Sequence, residues 1–134
     1  MANTTAVAVA MLLAESSITS VFSTRIYAPT LPEAVFDSPT FPILRLFRRG
    51  GMSHEIIGAE KEPSYQVEVY HSTAAQAGSA YDVVTGFLQS INHLTVGSSI
   101  VEAATEEVMG TEGVDPKTEW DYVRGFWTLL IHDL

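Results

Sequence analysis

The chain has 134 residues, a net charge of −9 and no cysteine. That length suits a single domain able to bury about two-thirds of its unfolded surface, so neither a disulfide nor a structural metal is required. The missing thiols exclude disulfide frameworks, thiolate zinc sites and cysteine catalysis, and the negative charge opposes tight binding to nucleic-acid phosphate.

The charge is unevenly placed. Residues 1–58 balance four acids with four arginines, whereas residues 59–134 set twelve acids against Lys61, Lys117 and Arg124. The sharpest stretch is 102–121, with seven acids and one lysine. A surface of that sign could line a passage through which DNA slides without sticking.

The apolar run Ala6–Ala14 lacks the basic flank of a secretory signal and is too short to span a bilayer. It predicts a buried first helix over residues 4–19, capped by Thr4 or Thr5, with Val7, Ala10, Met11, Ala14 and Ile18 at helical spacing. Asn3-Thr4-Thr5 matches a glycosylation sequon, which is idle without secretion. Between Ser23 and Pro42, four prolines exclude regular helix and predict a short strand near Arg25–Ala28, then an extended surface arm.

Ile43–Arg49 reads as a strand with Leu44, Leu46 and Arg48 on one face and Ile43, Arg45, Phe47 and Arg49 on the other. Gly50-Gly51 reads as a tight turn, because both residues accept positive φ. A short returning strand, His54–Gly58, and an acidic loop to Pro63 are expected next. Ser64–Ser72 alternates Tyr65, Val67, Val69 and His71 against Gln66, Glu68 and Tyr70, which predicts a half-buried strand with Glu68 facing water or an interface.

Thr73–Leu94 predicts the main helix, capped by Ser72 or Thr73, with Ala74, Ala77, Tyr81, Val84, Leu88 and Ile91 on its apolar stripe. Ser98–Gly110 and Glu119–Leu134 read as a closing hairpin joined by a polar link holding Gly113 and Asp115-Pro116. Its second arm is rich in large apolar groups on both faces, as in a central strand or one covered by neighbouring chains. The order of elements argues α+β: an antiparallel or mixed β-sheet with two α-helices packed on one face and a C-terminal β-hairpin.

Motifs for chemistry are weak. A phosphate cradle needs glycines that open a helix, but Gly50-Gly51 leads into a strand-like segment without the Lys-Ser/Thr pair. His54-Glu55 lacks the second histidine of a zinc helix, since position 58 is Gly58. His54, His71, His93 and His132 have no metal-ligand spacing. Glu102, Glu106 and Glu107 read as a solvated edge rather than an acid/base pair. No nucleophile elbow occurs. The aromatic residues of the last arm lack the basic groove of a single-strand binder. Hence no catalytic residue, cofactor or metal is assigned. Arg48 and Arg49 remain as cations suited to carboxylates on a neighbour, with the chain's own acidic 102–121 segment as the obvious source.

Two stretches, "RIYAPTLPEAVFDSPTFPILRLFRRGG" and "SYQVEVYHSTAAQAGSAYDVVTGFLQSI", followed by a closing hairpin, resemble the tail terminator (tail-completion) proteins of long-tailed bacteriophages. The likeness lies in the Pro29–Pro32 segment before a strand ending at Gly51, and in Val67–Val69 leading into the Ala74–Leu88 helix. It covers residues 5–132 in the order of elements. It implies a single tail-terminator-like domain over 1–134 and a virion protein of the tail or neck, assembled in the host cytoplasm without membrane or catalysis. Its copies would form a hexameric ring that caps the tail tube, stops polymerisation and docks to the head connector, with DNA passing through. The partners implied are the chain itself, the tail-tube protein and the head-completion or connector protein. The residues themselves would then put Arg48 and Arg49 at a subunit or tail-tube interface, against Glu102, Glu106 and Glu107, with Leu31, Val35 and Phe36 of the arm lying on a neighbour. Two alternatives stand beside it. One is another neck protein or a tail-tube subunit. The other is a small intracellular enzyme or ligand-binding domain with a site assembled from His71, Asp82 and Glu68.

Overall fold

The computed structural model describes residues 3–54 and 60–133. The elements run α1 (Thr4–Ala14), α2 (Ser16–Phe22), β1 (Ile26–Tyr27), α3 (Glu33–Asp37), β2 (Ile43–His54), β3 (Glu60–His71), α4 (Ala74–Ser90), β4 (Leu94–Val96), β5 (Ser99–Val114) and β6 (Asp121–Asp133). The strands form one sheet in the order β1-β2-β3-β6-β5-β4. Only the β1–β2 pair is parallel, so the sheet is mixed and the fold is α+β. β6 lies inside the sheet, flanked by β3 and β5, which is one of the two placements its apolar composition allowed.

One face of the sheet is covered by α1, α2 and α4. Leu44, Leu46, Tyr65, Val67, Val69, Val123, Trp127, Leu129 and Ile131 supply the sheet side of the core. Met11, Leu12, Ile18, Phe22, Val84 and Leu88 supply the helix side. Strand alternation accounts for the sheet half, because every second residue of β3 and β6 is buried there. Trp127 anchors the layer and donates from Nε1 to the Tyr81 hydroxyl at 3.1 Å. The Tyr81 hydroxyl lies directly over Gly125, and its ring edge approaches Gly110, so a methyl group at either glycine would collide with it. β5 and β6 thus carry no side chain where Tyr81 of α4 presses closest.

Several boundaries differ from expectation. The first helix breaks at Glu15, and its two pieces meet at 85°. Glu15 leaves the helical region, and its carboxylate accepts from the Ser17 hydroxyl at 3.1 Å, opening α2. The cap of α1 is Asn3, not Thr4 or Thr5: its Oδ1 accepts from the backbone N–H groups of Thr5 and Ala6 at 2.9 and 3.1 Å. Thr73 does cap α4, but that helix stops at Ser90, and Leu94 already belongs to β4.

The proline arm contains the short helix α3, fitted between Pro32 and Pro39, where a single turn escapes the prolines' restrictions. Gly50-Gly51 is not a turn. β2 runs through it, with a register shift between Arg48 and Gly50. Both glycines have positive φ, +119° and +126°, and an added Cβ on Gly51 would meet the Glu62 carbonyl oxygen. The pair makes a bulge in a long strand. Of the returning strand expected at His54–Gly58, His54 belongs to β2 and residues 55–59 lie outside the described residues. β3 begins at Glu60, so the stretch from Glu60 to Pro63 is strand rather than loop. Gly113 lies within β5 rather than in the hairpin link.

Candidate functional site: the free edges and the outer face of the sheet

The outer sheet face has two zones. At one end the proline arm folds back over it. Phe36 stacks on Trp120 at 5.7 Å, Phe41 meets Trp120 edge-on at 5.3 Å, and Tyr70 lies edge-on to both Trp120 and Tyr122. The arm expected to reach a neighbour therefore packs on its own chain through Phe36, although Phe36 stays 44 % exposed. Val35 borders a groove beside Tyr27 and Ile43, and Leu31 is half-buried.

The other zone is polar and ordered. Glu68, expected to face water or an interface, is 2 % exposed. Its two oxygens accept from Arg45 at 3.1 Å and from Arg124 at 2.8 and 3.1 Å. The three residues form one cross-strand row, because Glu68 pairs in register with Arg45 on one side and Arg124 on the other. Three arginines of this face also lie over rings: Arg49 over Phe126 at 4.2 Å, Arg124 over Tyr122 at 4.7 Å and Arg45 over Phe47 at 5.2 Å. Burial, and then the Glu68 charge, push the Tyr70 hydroxyl up to about 12.

Arg48 and Arg49, read from sequence as one cationic tip, are parted by the strand's alternation. Arg48 lies on the helix side, with Nη1 3.5 Å from the Thr4 hydroxyl and Nε donating to the Gly50 carbonyl at 3.2 Å. Arg49 lies on the outer side over Phe126. Both are exposed, and among the described residues neither pairs with a carboxylate.

The three candidate carboxylates also separate. Glu102 is held by His93 at 2.9 Å and His132 at 2.5 Å. Hydrogen bonds from His132 and then His93 keep its carboxyl below the usual carboxylate range. Glu107 accepts from the hydroxyls of Ser64 and Thr128 on the outer face. Glu106 lies on the helix side, bordering a groove with Asp82, Met109 and Glu112. Of the three, Glu106 has no hydrogen bond or ion pair to another side chain among the described residues, and Glu112 and Asp82 line the same groove. Sequence reading held Glu112 within the acidic 102–121 segment without singling it out, and did not join Asp82 to that segment because Asp82 comes from α4.

β1 covers β2 only at Leu44 and Arg45, and β4 covers β5 only from Ser99 to Val101. Among the described residues, the rest of β2 and β5 has no strand on its outer side. Val108, Met109 and Val114 stand exposed along β5, at 45, 75 and 57 %. Sheets otherwise guard such edges.

The imagined enzyme site is not assembled. Glu68 faces outward between two arginines, whereas Asp82 lies on α4 across the sheet. His71 lies beside Pro42 and Gln76, with burial lowering its pKa. Among the described residues no group of three His, Asp or Glu side chains could hold a metal ion. No single described helix is long and apolar enough to cross a membrane. No protein-family model matches the chain, and no curated protein matches it in sequence.

Proposed function

We propose that the protein is a structural virion protein, a tail terminator whose copies close into a hexameric ring that caps the tail tube, halts its growth and joins it to the head connector. One observation carries this reading: the sheet ends in two long free edges of opposite character. The β2 edge bears Arg48 and Arg49, which have no carboxylate partner among the described residues, and the β5 edge bears Glu106 and Glu112 beside exposed apolar side chains. Unlike edges on one chain favour head-to-tail contact, and head-to-tail contact closes into rings when the rotation permits. Arginine facing carboxylate also sets the register of such a contact. The acidic balance of the chain suits a ring through which DNA passes without being gripped.

Native mass measurement of the purified chain tests the proposal. A closed ring of defined mass is expected, and it should block further polymerisation when added to growing tail tubes. Open-ended filaments would assign the chain to the tube itself. A monomer at high concentration, inert toward tubes lacking their end-piece, would overturn the reading.

A further inference from the structure

α1 carries no charged residue, and its apolar side chains surround the whole cylinder. Helices of that composition are normally covered on every side. Val7, Ala8, Met11 and Leu12 do enter the core. The opposite side is less covered: Ala6, Val9, Ala10 and Leu13 line an open groove of about 700 Å³, together with Phe47 and Arg48 of β2, although Val9 also packs in part against the core. Leu13 is 40 % exposed. Ala6 and Ala10 lie one turn apart, so the helical wall of the groove is low. Arg48 stands at the groove without a carboxylate partner among the described residues.

A surface of opposite charge, with an exposed apolar side chain, lies at the other end of the sheet. Met109 is 75 % exposed, at the irregular stretch of β5 between Val108 and Thr111. Around it are the carboxylates of Asp82, Glu106 and Glu112. Methionine is unbranched and adapts to uneven apolar sites. Glu106 and Glu112 lie on the helix side of the sheet, the same side as Arg48. Copies laid side by side, β5 of one along β2 of the next, bring like layers together.

We infer that a second copy of this chain covers α1, its Met109 seated in the groove between α1 and β2 and its Glu106 and Glu112 facing Arg48. The apolar knob supplies the buried contact, and the carboxylates select the direction of approach. Knob and groove sit at opposite edges, so each copy offers both and the association is head-to-tail. The inference rests on the ring reading and names the surfaces by which its copies meet.

Two substitutions at exposed positions test it, Ala10→Glu in the groove and Met109→Glu on the knob. Each variant should melt as the wild type does, because neither side chain enters the core. Each alone should lose at least about ten-fold in self-affinity, since a carboxylate is driven into an apolar seat or against acidic neighbours. Mixed in equal amounts, they should form a one-to-one dimer and no ring, because the mixture retains one intact knob and one intact groove. Rings from both variants would overturn the docking while leaving the ring reading in place. A mixture that stays monomeric would overturn the pairing of these two surfaces. Wild-type binding to phosphatidylcholine vesicles that Ala10→Glu abolishes would give the groove to lipid instead. A wild-type chain that never self-associates would remove the ring reading itself.

Discussion

On the helix side of the sheet, Trp127 is 1 % exposed amid aliphatic and aromatic side chains. On the outer side, Glu68 is 2 % exposed, closed over by two arginines. Similar burial is reached by unlike means. The first region removes apolar area from water, a contribution insensitive to salt. The second closes a charge beneath opposite charges that remain partly wet, with the Arg45 and Arg124 side chains 27 and 36 % exposed. A layer of the first kind is finished once the helices dock. A layer of the second kind still presents guanidinium groups, and so remains a surface that another molecule can read.

The strongest way to break this contrast is Trp127→Ala. It leaves a cavity and strands the Tyr81 hydroxyl, so unfolding in urea should show a loss of about 3–5 kcal/mol, unchanged between low and high salt. Glu68→Ala should cost about 1–3 kcal/mol, below the figure for a fully buried pair because solvent already screens both arginines. Its effect should shrink in 1 M salt. An equal cost at both salt concentrations would mean that packing, not charge, holds the outer face.

Glu102 sharpens the comparison at the sheet's margin. Its folded pKa is depressed, so its contribution is present above the unfolded value of about 4.5 and is lost as pH falls through the lower folded value. The wild type should therefore lose thermal stability faster than Glu102→Gln as pH drops below about 4.5. Parallel melting curves from pH 5 to 3 would show that the His93 and His132 contacts carry no linkage.

Much of this architecture was legible in the residues. Period-two alternation placed Val67 and Val69 inward and Glu68 outward, and the apolar weight of the last arm marked β6 as central or covered by neighbouring chains. The alternation could not reveal that Glu68 would be closed over, because its arginines arrive from 23 and 56 residues away. Gly50-Gly51 misled for a related reason. Positive φ serves a turn and a bulge alike, and only the partner strand at Glu62-Pro63 decides between them. The same alternation that defined the strand also parts Arg48 from Arg49, a consequence that adjacency in the chain obscures. The groove on α1 had a signal in "AVAVAMLLA", whose apolar groups lack a polar face, although burial within one chain explains such a run equally well.

β5 departs from regular register between Val101 and Ala103, Glu106 and Val108, and Val108 and Thr111. Each extra residue coils the strand locally. Any chain laid against that border has to follow the coil, so backbone spacing contributes to its angle of arrival beside the chemistry of the side chains it meets. In the proposed ring, deleting one residue there would change the angle at which the next copy arrives, and with it the diameter of the circle. Curvature, on this view, is stored as length.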